Sequence, residues 1–178
     1  MPETSVPEVM WQGNFITAVR EGRWEYVNRA RGIHAAVILA LDDAADGRHI
    51  LLVEQYRVPL HRRCIELPAG LVGDHDAGEE ASVAATRELE EETGYRAQSW
   101  EIAGEFYSSP GMVGESFTLL IARELEQVSA GGGVDGEDIV VHRIALSALP
   151  AFVAQQRAAG LAIDVKLTML LAPNWLAA

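Results

Sequence analysis

The chain of 178 residues is predicted to take an α+β fold, with a small antiparallel β-sheet at its N-terminus preceding the main core. Three observations lead there. The first half is dominated by short aromatic and β-branched runs broken by polar turns. Glu79 to Glu92 holds neither Pro nor Gly, and Gly94 stands just past its end, as at a helix stop. Strand-like runs then return, and the chain closes on two helical stretches. Length, with 49% apolar and 22% charged residues, suits a single globular unit able to bury a core.

Taken in order, Phe15 to Val19 and Trp24 to Val27 read as two strands joined by the turn Arg20-Glu21-Gly22-Arg23. Residues 1–31 are therefore separated as an N-terminal β element from a main domain over 32–178. Ile33 to Leu41 and Ile50 to Val53 are more continuously apolar, as strands buried on both faces are. Between them, Asp42 to Gly47 reads as a loop. A strand through Ile65 is expected to end at Pro68 and Gly70, since proline cannot donate to a central ladder. Trp100 to Tyr107 and Ser116 to Ala122 read as strands around the turn Ser108-Ser109-Pro110-Gly111. The glycine-rich Ala130 to Gly136 is a loop, Ile139 to Ile144 a strand, and Leu146 to Ala159 and Val165 to Leu171 helices.

Net charge is −12, which argues against non-specific nucleic-acid binding, a process that needs clustered Lys and Arg. The charge is uneven. Gly73 to Tyr95 carries eight acids and one base, whereas Arg20 to Arg63 carries eight arginines and six acids. A lone cysteine, Cys64, forms no intramolecular disulfide and suggests a reducing compartment. The opening MPETSVPEVM lacks the basic and apolar pattern of a secretory signal, and no run nears the roughly 18 apolar residues of a membrane span. A cytoplasmic protein without membrane partners is the expectation.

On a helix, Glu88, Glu91 and Glu92 fall on one face about 100° wide, and Glu90 points away. Three like charges at that spacing repel. A hard divalent cation such as Mg²⁺, which takes oxygen ligands and keeps waters and phosphates in its shell, would relieve the repulsion. Taken alone, a glutamate-rich run is more often a solvated helix face. Its setting decides otherwise.

Gly73, Glu79, Arg87, Glu88, Leu89, Glu91, Glu92, Gly94 and Tyr95 fill every position of G-x(5)-E-x(7)-R-E-U-x-E-E-x-G-U, where U is bulky and apolar. Seven fixed identities at average usage make a chance match about 10⁻⁸ per start point. The chain thereby resembles the Nudix hydrolases. The resemblance implies an α/β/α sandwich around a mixed sheet, with Glu88, Glu91 and Glu92 holding Mg²⁺ (Mn²⁺ able to substitute). It also places Glu79 nearby, makes Arg87 the residue that orients the glutamates, and makes the Ala69 carbonyl a metal ligand.

Other segments are similar to the ADP-ribose pyrophosphatase branch: Val53 to Arg57 with Glu66 to Gly70, Ser108 to Gly111 with Glu115, and Asp135 to Ile139. The run Ala130 to Gly133 also resembles GDP-mannose pyrophosphatases. The implied activity is hydrolysis of the diphosphate of ADP-ribose or a related nucleoside-diphosphate sugar. GDP-mannose or another sugar nucleotide is the alternative, and a non-catalytic nucleotide sensor the alternative of a different class. Asp135 and Glu137 are the candidates for activating water or adding a metal ligand, and the two remain open. Arg57, a guanidinium able to fork onto a diphosphate or a carboxylate, and Glu115 and Met112 are assigned to substrate. The branch further implies a homodimer in which the N-terminal sheet lends Trp24 and Glu25 to the partner's nucleoside pocket. The five histidines lack metal-ligand spacing, and Cys64, Arg62 and Arg63 are read as packing or surface residues.

Overall fold

The structure, a computed structural model, describes residues 6–73, 78–134 and 136–176. Strands β1 (Glu8–Gln12), β2 (Ile16–Glu21) and β3 (Trp24–Arg29) form an antiparallel three-stranded sheet in sequential order. The expected hairpin is there, but β1 is an addition. All five of its residues are exposed, so it carries none of the buried-face alternation that makes a strand legible.

The main sheet has eight strands. Its path runs β11 (Ala162–Ile163), β6 (Arg62–Glu66), β5 (Gly47–Arg57), β4 (His34–Ala44), β9 (Ser116–Gln127) and β8 (Tyr95–Tyr107). Off that path, β10 (Val140–Ala145) pairs with β5 and β7 (Ala69–Val72) with β4. The β4–β9 and β11–β6 pairs are parallel and the others antiparallel, so the sheet is mixed as expected.

Alternation along the strands loads both faces. Val37, Leu41, Ile50, Leu52, Phe117 and Leu119 pack with Leu149 and Val153 of α2 (Leu149–Ala158) and Leu171 of α3 (Thr168–Leu176). Ala36, Ile38, Ala40, Leu51, Leu120 and Ala122 pack on the other face, against Ala84 and Ala85 of α1 (Ala81–Glu88) and against Leu89. Helices thus cover both faces of the sheet, the α/β/α sandwich.

Three local expectations are corrected. Asp42 to Gly47 is mostly ladder: β4 and β5 pair as far as Ala44 with Gly47, leaving Ala45-Asp46 as the turn. Cross-strand ion pairing supports it, with Arg48 Nε donating to Asp43 Oδ1 at 2.6 Å. The strand expected to end at Gly70 is instead interrupted after Glu66 and resumes at Ala69 as β7, while the Pro68 carbonyl still accepts from Ile38 N at 2.8 Å. The helix begins at Ala81, not Glu79, because the Glu79 carboxylate turns away to accept from Gly73 N at 3.1 Å.

The helix also changes character. After Glu88 it continues as a π-helical turn over Leu89–Thr93, a widened i→i+5 geometry. Gly94 ends it in the left-handed region at φ 76°, and a Cβ there would overlap the Ser129 carbonyl and the Gly131 amide. Among the described residues no helix is long and apolar enough to cross a membrane.

Leu120 is fully buried between β4, β8 and α1 in the helix-α1 half of the core. Leu120→Ala is expected to cost about 2–5 kcal/mol of unfolding free energy, read from the urea midpoint.

Candidate functional site

The π turn, the end of β5, the start of β7 and the loop before β10 meet at one cleft of about 450 Å³. Its acidic side is built by Glu88, Glu91, Glu92 and Glu137. Glu92 is 5% exposed, and its Oε2 accepts from Ala69 N at 3.0 Å. Burial pushes this carboxyl up to about 8, the Ala69 hydrogen bond opposing and the charges of Glu88 and Glu137 adding to the rise. Glu88 is also raised by burial, against the pull of Arg87. Gly70 lies directly under the Glu88 carboxyl, where any Cβ would overlap it.

Arg87 stands among the glutamates. Its Nη1 donates to Glu88 Oε1 at 2.7 Å and to Glu91 Oε2 at 3.4 Å, and its Nη2 lies 3.7 Å from Glu79 Oε1. Nη2 is buried with no hydrogen-bond partner among the described residues. Glu90 faces away, as the helical wheel requires, and pairs with Arg96 at 2.9 Å. Glu88, Glu91 and Arg87 thus form a tightly knit charged group. Among the described residues no three Asp, Glu, His or Cys side chains converge as a closed ligand set, since Glu88 and Glu91 are turned onto Arg87.

The cleft is also lined by the basic residues Arg29, Arg57 and Lys166. Arg57 forks onto Glu66, with Nε to Oε1 at 2.6 Å and Nη2 to Oε2 at 2.9 Å, so a carboxylate takes the bidentate role. Arg29 Nε donates to Glu115, and Lys166 Nζ to Asp164 Oδ2 at 2.7 Å. Arg29, Glu66 and Lys166 were missed as site residues. Arg29 and Lys166 are single charges with no motif spacing around them, and Glu66 sits in the Glu66 to Gly70 motif without a role of its own being read from it. Arg29 ends β3, and Lys166 follows the Asp164 cap of the turn leading into α3.

The structure therefore brings Ala69, Arg57, Arg87, Glu88, Glu91, Glu92, Glu115 and Glu137 to one cleft. Trp24, Glu25 and Met112 are elsewhere. Trp24 is 57% exposed on β3, with the Arg23 guanidinium 5.9 Å from its ring centroid. Glu25 is opposite Arg20, and Met112 is exposed, its carbonyl accepting from Val27 N at 3.0 Å. Asp135 lies outside the described residues, as do Asp74, His75 and Asp76. Asp138, within the Asp135 to Ile139 segment, is paired: Arg63 Nη1 reaches its Oδ2 at 2.7 Å. Cys64 is buried, and burial pushes its thiol up to about 12, as befits a packing residue.

A NUDIX domain is matched over residues 32–159, and the chain belongs to the Nudix hydrolase family. An uncharacterized Nudix hydrolase of Schizosaccharomyces pombe is 32% identical, over 93% of this chain and 82% of that protein. An ADP-ribose pyrophosphatase of Bacillus subtilis is 39% identical over 60% of this chain and 54% of that protein, so the chain spans about half the length of that relative. A solved structure of an ADP compounds hydrolase superposes with a TM-score of 0.69 at 20% identity, covering 99% of this chain and 94% of the other, a likeness of fold.

The raised Glu92 carboxyl carries a sign that can be tested. Its ordinary value is 4.5, and about 8 in the fold. In metal-free protein, stability is full below 4.5 and lost as pH rises through about 8, because folding disfavours the charged form. Glu92→Gln keeps an acceptor for Ala69 N without the charge. Urea unfolding of the metal-free variant should show a smaller loss between pH 5 and pH 8.5 than the wild type, and equal or greater stability at the upper pH.

Proposed function

We propose that the chain is a Mg²⁺-dependent pyrophosphohydrolase acting on ADP-ribose or a related nucleoside-diphosphate sugar, releasing a nucleoside monophosphate and a sugar phosphate. One observation carries the reading. Glu88, Glu91, Glu92 and Glu137 face the cleft together with Arg29, Arg57 and Lys166, an acidic set suited to a cation beside basic groups suited to a diphosphate.

The donor chemistry suits a hard cation, which Glu88 and Glu91 would meet by turning from Arg87. The set offers carboxylate oxygens, two of them on groups whose charge burial disfavours until a positive partner arrives. Glu88, Glu91, Glu92 and the Ala69 main chain would hold Mg²⁺ (or Mn²⁺ in its place), with Glu137 as a further ligand. When bound, the ion neutralises phosphate oxygens and lowers the pKa of a coordinated water. Arg87 keeps Glu88 and Glu91 aligned through its Nη1. Arg57 and Arg29 orient the diphosphate, exchanging part of their bonding with Glu66 and Glu115. Water attacks one phosphorus, the bridging P–O bond breaks, and a carboxylate accepts the water proton. Glu137, which lines the cleft, and Asp135 are the two candidates for that carboxylate.

Trp24 and Glu25 enter this reading through a partner subunit. The N-terminal sheet and its first turn expose Val9, Met10, Trp11, Phe15 and Trp24, apolar side chains suited to contact with a second copy of the chain. Met112 lies on the segment that β3 bonds, and would border the nucleoside at such an interface. The location expected is cytoplasmic. GDP-mannose as main substrate is the second reading, which rests on the resemblance of the Ala130 to Gly133 run.

Glu91→Gln or Glu92→Gln should lower turnover at saturating Mg²⁺ by about 10²-fold or more with native circular dichroism, judged by the nucleoside monophosphate formed from ADP-ribose, GDP-mannose, UDP-glucose and dATP. Wild-type hydrolysis by either variant would refute the metal assignment, and tight binding of all four without hydrolysis would favour a sensor. Light scattering at micromolar concentration should give twice the chain mass, and a monomeric mass would remove the shared pocket.

A further inference from the structure

Arg63 lies outside the cleft, on β6, and makes more hydrogen bonds than a surface charge needs. Its Nε donates to Glu54 Oε1 and its Nη2 to the Glu54 carbonyl at 3.0 Å. Its Nη1 donates to Asp138 Oδ2 at 2.7 Å, and Nη2 again to the Asp138 carbonyl at 2.9 Å. Glu54 is itself held, since His142 Nε2 lies 2.9 Å from its Oε2. The pairing explains the geometry. Glu54 on β5 is opposite Ile65 of β6 and Val140 of β10, so its carboxylate is reached from both neighbouring strands. From there the guanidinium spans β5 and grips the main chain just before β10 begins.

Asp138 follows Glu137, which lines the cleft. The loop carrying Glu137 is tied at its other end to the carboxylate turn, through Gly132 N to Glu92 O at 2.9 Å and Gly133 N to Glu91 O at 3.0 Å. Between the ties, Glu137 N donates to Val134 O at 3.1 Å and Ile139 N to Gly132 O at 3.4 Å. One anchor sets the loop on the helix and the other sets it on the sheet. Besides these ties, Glu137 is held by its own bonds to Val134, including Val134 N to Glu137 Oε2 at 3.2 Å, and by the β10 ladder that opens at Val140, so the Arg63 grip adds a hold at Asp138 itself.

We infer that Arg63 is a positioning residue, holding the Glu137 loop at the cleft by its grip on the Asp138 side chain and carbonyl. This rests on the hydrolase reading above. The Asp138 side chain is 84% exposed, and an exposed ion pair by itself contributes little. The added bond to the carbonyl fixes backbone, and small displacements of a reacting group cost rate steeply.

The test compares Arg63→Ala, Asp138→Ala and Glu137→Gln with wild type, using ADP-ribose hydrolysis and amide hydrogen exchange over residues 136–139. Arg63→Ala should lower kcat about tenfold or more with KM changed less than about threefold, and should speed exchange in that segment. Asp138→Ala, which removes one of the two anchors at an exposed position, should do the same to a smaller degree. Arg63→Lys, whose single ammonium cannot serve Glu54 and both Asp138 acceptors together, should recover only part of kcat. Wild-type kcat and exchange in Arg63→Ala, with turnover lost in Glu137→Gln, would overturn the inference and leave the hydrolase reading standing. Wild-type turnover in Glu137→Gln would instead remove that reading's use of Glu137, while the exchange measurement still reports on the anchor.

Discussion

Like charges held close together and away from water are the constraint around which the rest of the structure is arranged. Glu88 and Glu92 are both raised by burial, and Glu91 lies beside them on the same turn. Such a group is tolerated only with positive or donating partners. Arg87 supplies a guanidinium to two of the glutamates, and Ala69 N supplies a donor to the third. Those partners need backbone in particular places. Pro68 interrupts the ladder so that β7 can present Ala69, Gly70 leaves room for the Glu88 carboxyl, and Gly94 turns the chain immediately after the π turn. The sandwich exists, in this sense, to hold one end of one helix against one strand.

The layered core follows a simpler rule. Strand alternation in β4, β5 and β9 divides apolar side chains between two faces, and helices close each. The strands were legible as apolar runs between polar turns, while the mixed-sheet sandwich followed from the resemblance carried by the carboxylate box. The carboxylate box was legible for a different reason. Its residues are local, so spacing alone places Glu88, Glu91 and Glu92 together and turns Glu90 out toward Arg96. The π geometry was not, because it depends on how Leu89 and Thr93 pack, and no spacing rule reports it.

Residues that come from distant strands were the ones missed. Arg29 and Glu115 are 86 positions apart, and Arg63 and Asp138 are 75 apart. Neither pair has a local signature. Glu66 was visible within a motif, yet its role as the carboxylate that receives the Arg57 fork depends on the β5–β6 register, Arg57 opposite Arg62 and Val53 opposite Glu66. Strand β1 escaped because every side chain on it is exposed in the chain taken singly. Sequence reading failed on long-range pairing and on local backbone geometry, such as the Asp42 to Gly47 ladder and the π turn.

Binding of a cation in the cleft requires the buried Glu92 carboxyl to give up its proton. Calorimetric titration of metal-free protein with Mg²⁺ at pH 7, repeated in buffers of different ionisation enthalpy, counts the protons that leave as the ion binds. With Glu92 held near 8, the account predicts saturable binding with release of about one proton per site. Absence of saturable binding, or binding with no proton released, would contradict it.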